Sequence, residues 1–82
     1  MISAKKEVLK KKFGATIQQI REKKGLTLRQ VSANCSLDNS KISKIEDGRF
    51  NVALSTIIEL ARGLEEHPSR LLQGDYDWME SR

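Results

Sequence analysis

The chain has 82 residues, with 15 Lys and Arg against 11 Asp and Glu and a net charge of +4. This length fits one domain and is too short for a multi-domain enzyme. Residues 1–49 carry 12 basic and 5 acidic side chains, whereas residues 50–82 carry 3 basic and 6 acidic ones, so the two parts have net charges of +7 and −3. A basic first part indicates a polyanionic partner, most simply nucleic acid.

Several classes of protein are excluded by what the sequence lacks. Cys35 is the only cysteine, so no internal disulfide can form. No apolar run approaches the roughly 20 residues of a membrane span, and no apolar segment follows the basic N-terminus as a secretory signal requires. Cys35 and His67 fall on different predicted elements, and neither a glycine-rich phosphate loop nor metal-ligand spacing is present. We therefore expect a cytoplasmic protein that is not an enzyme and has no metal, cofactor or small-molecule ligand.

The first predicted helix runs from about Val8 to Lys24 and ends at Gly25. Its apolar side chains recur every three or four residues: Leu9, Phe13, Ile17 and Ile20. Residues 1–7 are predicted to be a flexible basic N-terminus, because lysines near a helix start oppose the helix dipole. The five lysines between positions 5 and 12 are either a solvated helix start or part of an arm that touches phosphates.

Two short helices follow and form a predicted helix-turn-helix at about 27–47. Thr27 is placed to cap the second helix, with Gln30 completing a capping box. Leu28, Val31 and Cys35 are expected on its apolar side. Residues 36–38 form a tight turn, and Asp38 caps a third helix from Asn39 to about Asp47 that ends at Gly48.

The remaining chain continues the helical pattern. After a loop at 49–53, the apolar positions of residues 54–64 predict a fourth helix: Leu54, Ile57, Ile58, Ala61 and Leu64. Residues 65–67 are a connection, and Pro68 fits the first turn of a short fifth helix that ends at Gly74. No strand is predicted, so the fold class is all-α. Residues 75–82 form an acidic tail in which Trp78 docks on its own core, contacts a second subunit or is disordered.

The third helix has one apolar and one polar edge. Ile42 and Ile45 point the same way with Glu46 beside them, while Ser40, Ser43, Lys44 and Asp47 point the opposite way. Asn can pair with adenine, Lys can donate to guanine and Ser can address either purine, so this edge suits a major groove. From this helix alone, a merely solvated face is an equally good interpretation.

Three motifs together resemble the lambda-repressor-like helix-turn-helix family, also called the XRE or Cro/repressor family. They are R-x-x-x-G-L-T at 21–27, I-S-x-I-E-x-G at 42–48 and N-x-x-L-x-T-I-x-x-L-A-x-x-L at 51–64. The resemblance covers about Phe13 to Leu72. It implies a five-helix DNA-binding domain, here residues 8–74, with helices 2 and 3 as the helix-turn-helix. In size, the chain also resembles the controller proteins of restriction–modification systems and small phage or plasmid repressors.

The resemblance further implies a homodimer that regulates transcription from a pseudo-palindromic operator in double-stranded DNA. An antitoxin-type interaction module that also binds DNA is the alternative. By position, the residues implied to contact bases are Asn39, Ser40, Ser43 and Lys44. Those implied to contact phosphates are Thr27, Lys41, Arg49 and Asn51, and Arg29 is a further candidate from its place in the first turn of helix 2. The family pattern also implies a structural ion pair between Arg21 and Glu46, and the apolar candidates for the dimer interface are Leu71, Leu72 and Trp78.

The sequence departs from the family pattern at three positions. Leu28 stands where many members have Gln, which puts one phosphate contact in doubt. Ser32 replaces the usual Ala, and its hydroxyl is expected to bond back to the carbonyl four residues earlier. Ser36 stands where Gly often adopts a positive φ, and this strain should lower stability by about 1 kcal/mol.

Overall fold

In the computed structural model, residues 2–74 and Tyr76 are described, and for residues 2–4 only the backbone is. The described part folds into five helices and contains no strand: α1 (Ile2–Lys23), α2 (Leu28–Ala33), α3 (Asn39–Glu46), α4 (Leu54–Leu64) and α5 (Pro68–Leu71). The all-α, five-helix prediction is confirmed. None of the described helices is long and apolar enough to cross a membrane.

Every helix contributes to one apolar core. Ile17 of α1, Val31 of α2, Ile42 of α3, Leu60 of α4 and Leu71 of α5 are all inaccessible to solvent. The other buried apolar residues of the core are Phe13, Leu37, Ile45, Ala61 and Leu64. This core fixes α2 and α3 against the longer helices α1 and α4, so α3 has one edge inside the domain and one edge outside.

Helix α1 is longer than the sequence predicted. It begins at Ile2, so the predicted start at about Val8 is wrong, and residues 2–7, which were predicted to be flexible, are helical. Lys, Glu and Ala are good helix formers, and each residue added to an existing helix gains a backbone hydrogen bond. Glu7 also pairs with Lys10 at 3.0 Å. These gains outweigh a dipole effect of a few tenths of a kcal/mol for exposed lysines.

The turn between α2 and α3 corrects two further predictions. The Ser32 hydroxyl donates to the Leu37 carbonyl at 2.8 Å, and not to a carbonyl of its own helix. Ser36 does not have a positive φ, because the only described non-glycine residue with one is Glu65 (φ 58°). The Ser36 N–H instead donates to Glu59 Oε1 of α4 at 3.0 Å. Side-chain hydrogen bonds therefore hold this turn without left-handed backbone.

Two glycines allow helices to approach closely. A Cβ on Gly14 of α1 would overlap the carbonyl oxygens of Ile45 and Glu46 at the end of α3. A Cβ on Gly63 of α4 would lie 2.8 Å from the Val31 carbonyl oxygen of α2. The absence of side chains at these positions sets how deeply α2 and α3 sit in the domain.

Candidate nucleic-acid interface

The starts of α2 and α3 are fixed by side-chain caps, as the sequence predicted. The Gln30 N–H donates to Thr27 Oγ1 at 3.1 Å, and the Thr27 N–H donates to Gln30 Oε1 at 2.8 Å, which completes the capping box. Asp38 Oδ1 accepts a hydrogen bond from the Lys41 N–H at 2.8 Å. These local bonds define where each helix of the helix-turn-helix begins.

The third helix presents a polar outer edge. Ile42 and Ile45 are buried, whereas Ser40 and Lys44 are exposed. Asn39 and Ser43 are half-buried at the margin of the same edge. Within the described residues, no hydrogen bond or ion pair engages the side chains that were predicted to contact bases: Asn39, Ser40, Ser43 and Lys44. Their donors and acceptors are therefore available to another molecule.

The residues predicted to contact phosphates are all exposed. Arg29 and Asn51 have side chains without a partner in the described part of the chain. Lys41 Nζ lies 6.0 Å from the centroid of the Phe50 ring, and Arg49 Nε lies 3.7 Å from Asp47 Oδ2. Exposed contacts of this kind are worth well under about 1 kcal/mol, so both cations can turn toward another anion.

An ion pair fixes the inner edge of α3 to α1. Arg21 Nε lies 2.7 Å from Glu46 Oε2, and a second guanidinium nitrogen donates to Oε1 at 3.1 Å. The two side chains are 14% and 6% exposed. Arg21 also donates to the Leu26 carbonyl at 2.9 Å. The bond to the Glu46 carboxylate raises the pKa of Arg21 despite its partial burial. Arg21 thus stays protonated and joins α3 to α1 and to Leu26 in the α1–α2 connection.

A second carboxylate, which sequence reasoning missed, connects α4 to the turn of the helix-turn-helix. Glu59 of α4 accepts the Ser36 N–H, and this bond lowers the pKa of the Glu59 carboxyl. Arg62 pairs with the same carboxylate at 3.6 Å. The two bonded residues are 23 positions apart, and no local sequence pattern signals such a contact.

The three residues predicted at the dimer interface differ in how far the structure exposes them. Leu71 is inaccessible to solvent within its own domain, so its assignment to an interface is wrong: the side chain of α5 that turns inward completes the core. Leu72 is 53% exposed. Trp78 lies outside the described residues. Leu54 and Ile58, which the pattern counted among the apolar positions of α4, are exposed at 73% and 39% and lie one turn apart.

Metal binding has no support in the described residues, where no group of three His, Cys, Asp or Glu side chains could hold an ion. Cys35 is half-buried, and its Sγ donates to the Val31 carbonyl at 3.4 Å. His67 caps α5, because its Nδ1 accepts the Ser69 N–H at 3.1 Å. Both residues thus serve local structure.

Solved structures of regulators share this architecture. The restriction–modification controller protein C.AhdI from Aeromonas hydrophila is 34% identical, with a TM-score of 0.70 over 74% of this chain and 92% of its own. The controller protein C.Esp1396I, solved as a tetramer with its natural 35-base-pair operator, is 28% identical, with a TM-score of 0.73 over 79% of this chain and 86% of its own.

Sequence comparison agrees with the structural likeness. The HTH-type transcriptional regulator y4dJ of Sinorhizobium fredii is 34% identical over 56 residues, which are 68% of this chain and 73% of the relative. The helix-turn-helix domain family matches residues 12–74, which include α2 to α5 and the second half of α1. The chain therefore belongs to the helix-turn-helix domain family and is a transcriptional regulator of the HTH type.

Proposed function

We propose that the protein binds a pseudo-palindromic operator as a dimer and places α3 of each subunit in the major groove. The observation that carries this proposal is the outer edge of α3, on which the side chains of Asn39, Ser40, Ser43 and Lys44 have no partner in the described part of the chain. The complex of the similar controller protein C.Esp1396I with its operator supports DNA as the ligand.

The side chains on α3 suit direct reading of bases. Asn39 can form two hydrogen bonds with adenine, and Lys44 can donate to O6 and N7 of guanine. Ser40 and Ser43 are short, so they let the helix approach the base edges. Glu46 is turned inward and paired with Arg21. Asp47, at the exposed end of the outer edge, lies 3.7 Å from Arg49. Repulsion from phosphates is thereby reduced at the surface that enters the groove.

Residues around this edge supply contacts to the DNA backbone. Arg29 and Asn51 are exposed and have no side-chain partner among the described residues, and Lys41 and Arg49 hold weak exposed contacts there. The Thr27 hydroxyl accepts the Gln30 N–H, which leaves its own proton for a phosphate oxygen. Contacts of this kind orient a protein on DNA and make its affinity fall with salt concentration.

Exposed apolar side chains of the second half of the chain support pairing of subunits. Leu54, Ile58 and Leu72 are the large apolar side chains that α4 and the end of α5 leave exposed. The tetrameric state of C.Esp1396I on its operator supports self-association. A dimer would space the two copies of α3 about one helical turn apart, roughly 34 Å.

Selection of bound sequences from random duplex DNA tests this function. We expect enrichment of an inverted repeat whose half-site spacing corresponds to one turn of DNA. Fluorescence anisotropy with the selected duplex should show weaker binding by Arg29→Ala on α2 than by Arg62→Ala on α4, a matched loss of an exposed arginine. Recovery of no preferred sequence, or equal losses in both variants, would contradict the proposal.

A further inference from the structure

The first half of α1 projects from the domain. Residues 2–11, here called the α1 extension, precede the part of the chain that the family matches, yet they are helical from Ile2. A helix of 22 residues is about 33 Å long. The molecule measures 41 Å along its longest axis and 21 Å along the other two. The extension therefore adds a surface to the domain that the family likeness does not explain.

The α1 extension leaves the domain at the end of α3. A Cβ on Gly48 would lie 2.9 Å from the Cα of Lys11, so the backbone of α1 crosses the α3–α4 connection there. Arg49 is the next residue after this crossing, and Asn51 follows in the same loop. The extension thus starts beside the loop to which the proposed function assigns phosphate contacts.

The α1 extension is basic, with four lysines at positions 5, 6, 10 and 11. Residues three and four apart share one side of a helix. Lys10 and Lys11 therefore continue the side on which Gly14 packs against α3, and Lys6 lies one turn before Lys10. Lys6 and Lys11 are exposed. Glu7 is the only acidic residue between positions 2 and 11, and Lys10 neutralises it at 3.0 Å.

We propose that the α1 extension binds DNA phosphates beyond those reached by the helix-turn-helix, through Lys6 and Lys11 with Lys10 beside them. This inference rests on the proposed function. A second copy of the extension would bring like charges together, whereas DNA offers one negative charge per about 1.7 Å of its axis. The extension then lengthens the footprint on the operator without reading additional bases.

Two double variants with equal charge loss test the proposal. Lys6→Gln with Lys11→Gln removes two exposed charges from the extension. Lys23→Gln with Arg62→Gln is the control, because it removes the same charge from exposed positions at the opposite end of α1 and on α4. Glutamine is as good a helix former as lysine, so α1 should persist in both, and circular dichroism checks this.

The measurement is the binding constant for the selected duplex between 50 and 200 mM salt. Two lost phosphate contacts should reduce the slope of log K against log salt by about 1.8 in the Lys6/Lys11 variant, and the control should keep the wild-type slope. Base preference should stay unchanged. Shortening the flanks of the duplex should weaken wild-type binding and leave the Lys6/Lys11 variant unaffected.

Distinct results separate this inference from the proposed function. If wild-type protein selects an inverted repeat but both double variants share its slope, the extension does not touch DNA, and an acidic protein or a lipid surface becomes its candidate partner. Equal slope reductions in both variants would indicate general attraction and overturn the proposal as well. If wild-type protein selects no sequence, the proposed function fails first and the inference with it.

Discussion

The two edges of α3 differ in how far the fold itself uses their side chains. On the inner edge, Ile42 and Ile45 are buried and Glu46 accepts two hydrogen bonds from Arg21. On the outer edge, Ser40 and Lys44 have no partner in the described chain. The inner edge fixes the position of the helix, whereas the side chains of the outer edge remain available to bind a ligand. Substitutions on the two edges should therefore affect different measurements.

The largest expected effect comes from the inner edge. Glu46→Ala leaves the mostly buried guanidinium of Arg21 without its carboxylate, and breaking a buried pair from one side typically lowers stability by about 3 kcal/mol. We expect a loss of this size in the free energy of unfolding, measured by urea denaturation. DNA affinity should fall as the folded population falls.

Glu22→Ala is the matched control for that variant. Glu22 also lies near Arg21, at 3.9 Å, but its side chain is 62% exposed. An exposed contact at this distance contributes little, so the free energy of unfolding should change by less than about 0.5 kcal/mol. Similar losses in the two variants would show that burial of the Arg21–Glu46 pair does not matter.

The outer edge should respond in binding and not in stability. Lys44→Ala removes an exposed side chain that has no partner in the described part of the chain, so its free energy of unfolding should stay within about 0.5 kcal/mol of wild type. Loss of a base contact should weaken operator binding by about 1–3 kcal/mol and relax the preference at one position of each half-site. Repeating the selection from random DNA with this variant measures both changes.

Lys23→Ala serves as the comparison for Lys44→Ala. Lys23 is an exposed lysine in the last turn of α1 and lies outside α3. Any effect on binding should be uniform across sequences and leave the selected motif intact, as for a phosphate contact. An identical change of motif in the two variants would remove the distinction between the edges of α3.

Local signals were sufficient to predict most of this scaffold. The caps at Thr27 and Asp38, the glycine ends at Gly25 and Gly48 and the proline at the start of α5 depend on residues within one turn of each other, and the structure confirms them. The apolar spacing of α3 likewise predicted its inner and outer edges. Contact of the outer edge with bases remains a prediction, because it depends on a partner that the sequence does not contain.

The predictions that were wrong concern residues whose conformation or burial depends on contacts with residues far away in the sequence. The conformation of Ser36 follows from a bond to Glu59, and the burial of Leu71 follows from where α5 docks on α1 and α4. Family analogy placed a left-handed residue at Ser36. The structure has it at Glu65, which closes α4 just as Gly25 and Gly48 close α1 and α3: in each case the next N–H reaches back five residues.

Glycine substitutions at Glu65 and Ser36 test where the left-handed residue lies. Glu65→Gly relieves a side chain at φ 58° and should raise the free energy of unfolding by about 0.5–1 kcal/mol. Ser36→Gly should give no gain, and a loss of up to about 1 kcal/mol, because no strain is relieved while the unfolded chain gains freedom. Urea denaturation of both variants checks the difference, and stabilisation by Ser36→Gly would restore the original expectation.

The smallest effect expected is a pH dependence of the α2–α3 turn. The Ser36 N–H lowers the pKa of Glu59 in the folded protein below its ordinary value of 4.5, so the bond contributes fully above that value. The contribution disappears as the pH falls through the lowered pKa and Glu59 becomes protonated. The melting temperature of Glu59→Gln should therefore lie below that of wild type at pH 7 and approach it at pH 3. Glu65→Gln is the control for loss of a negative charge, because the Glu65 side chain has no partner among the described residues. If the melting temperature of Glu59→Gln still lies below that of wild type at pH 3, the carboxylate charge is not what holds the turn.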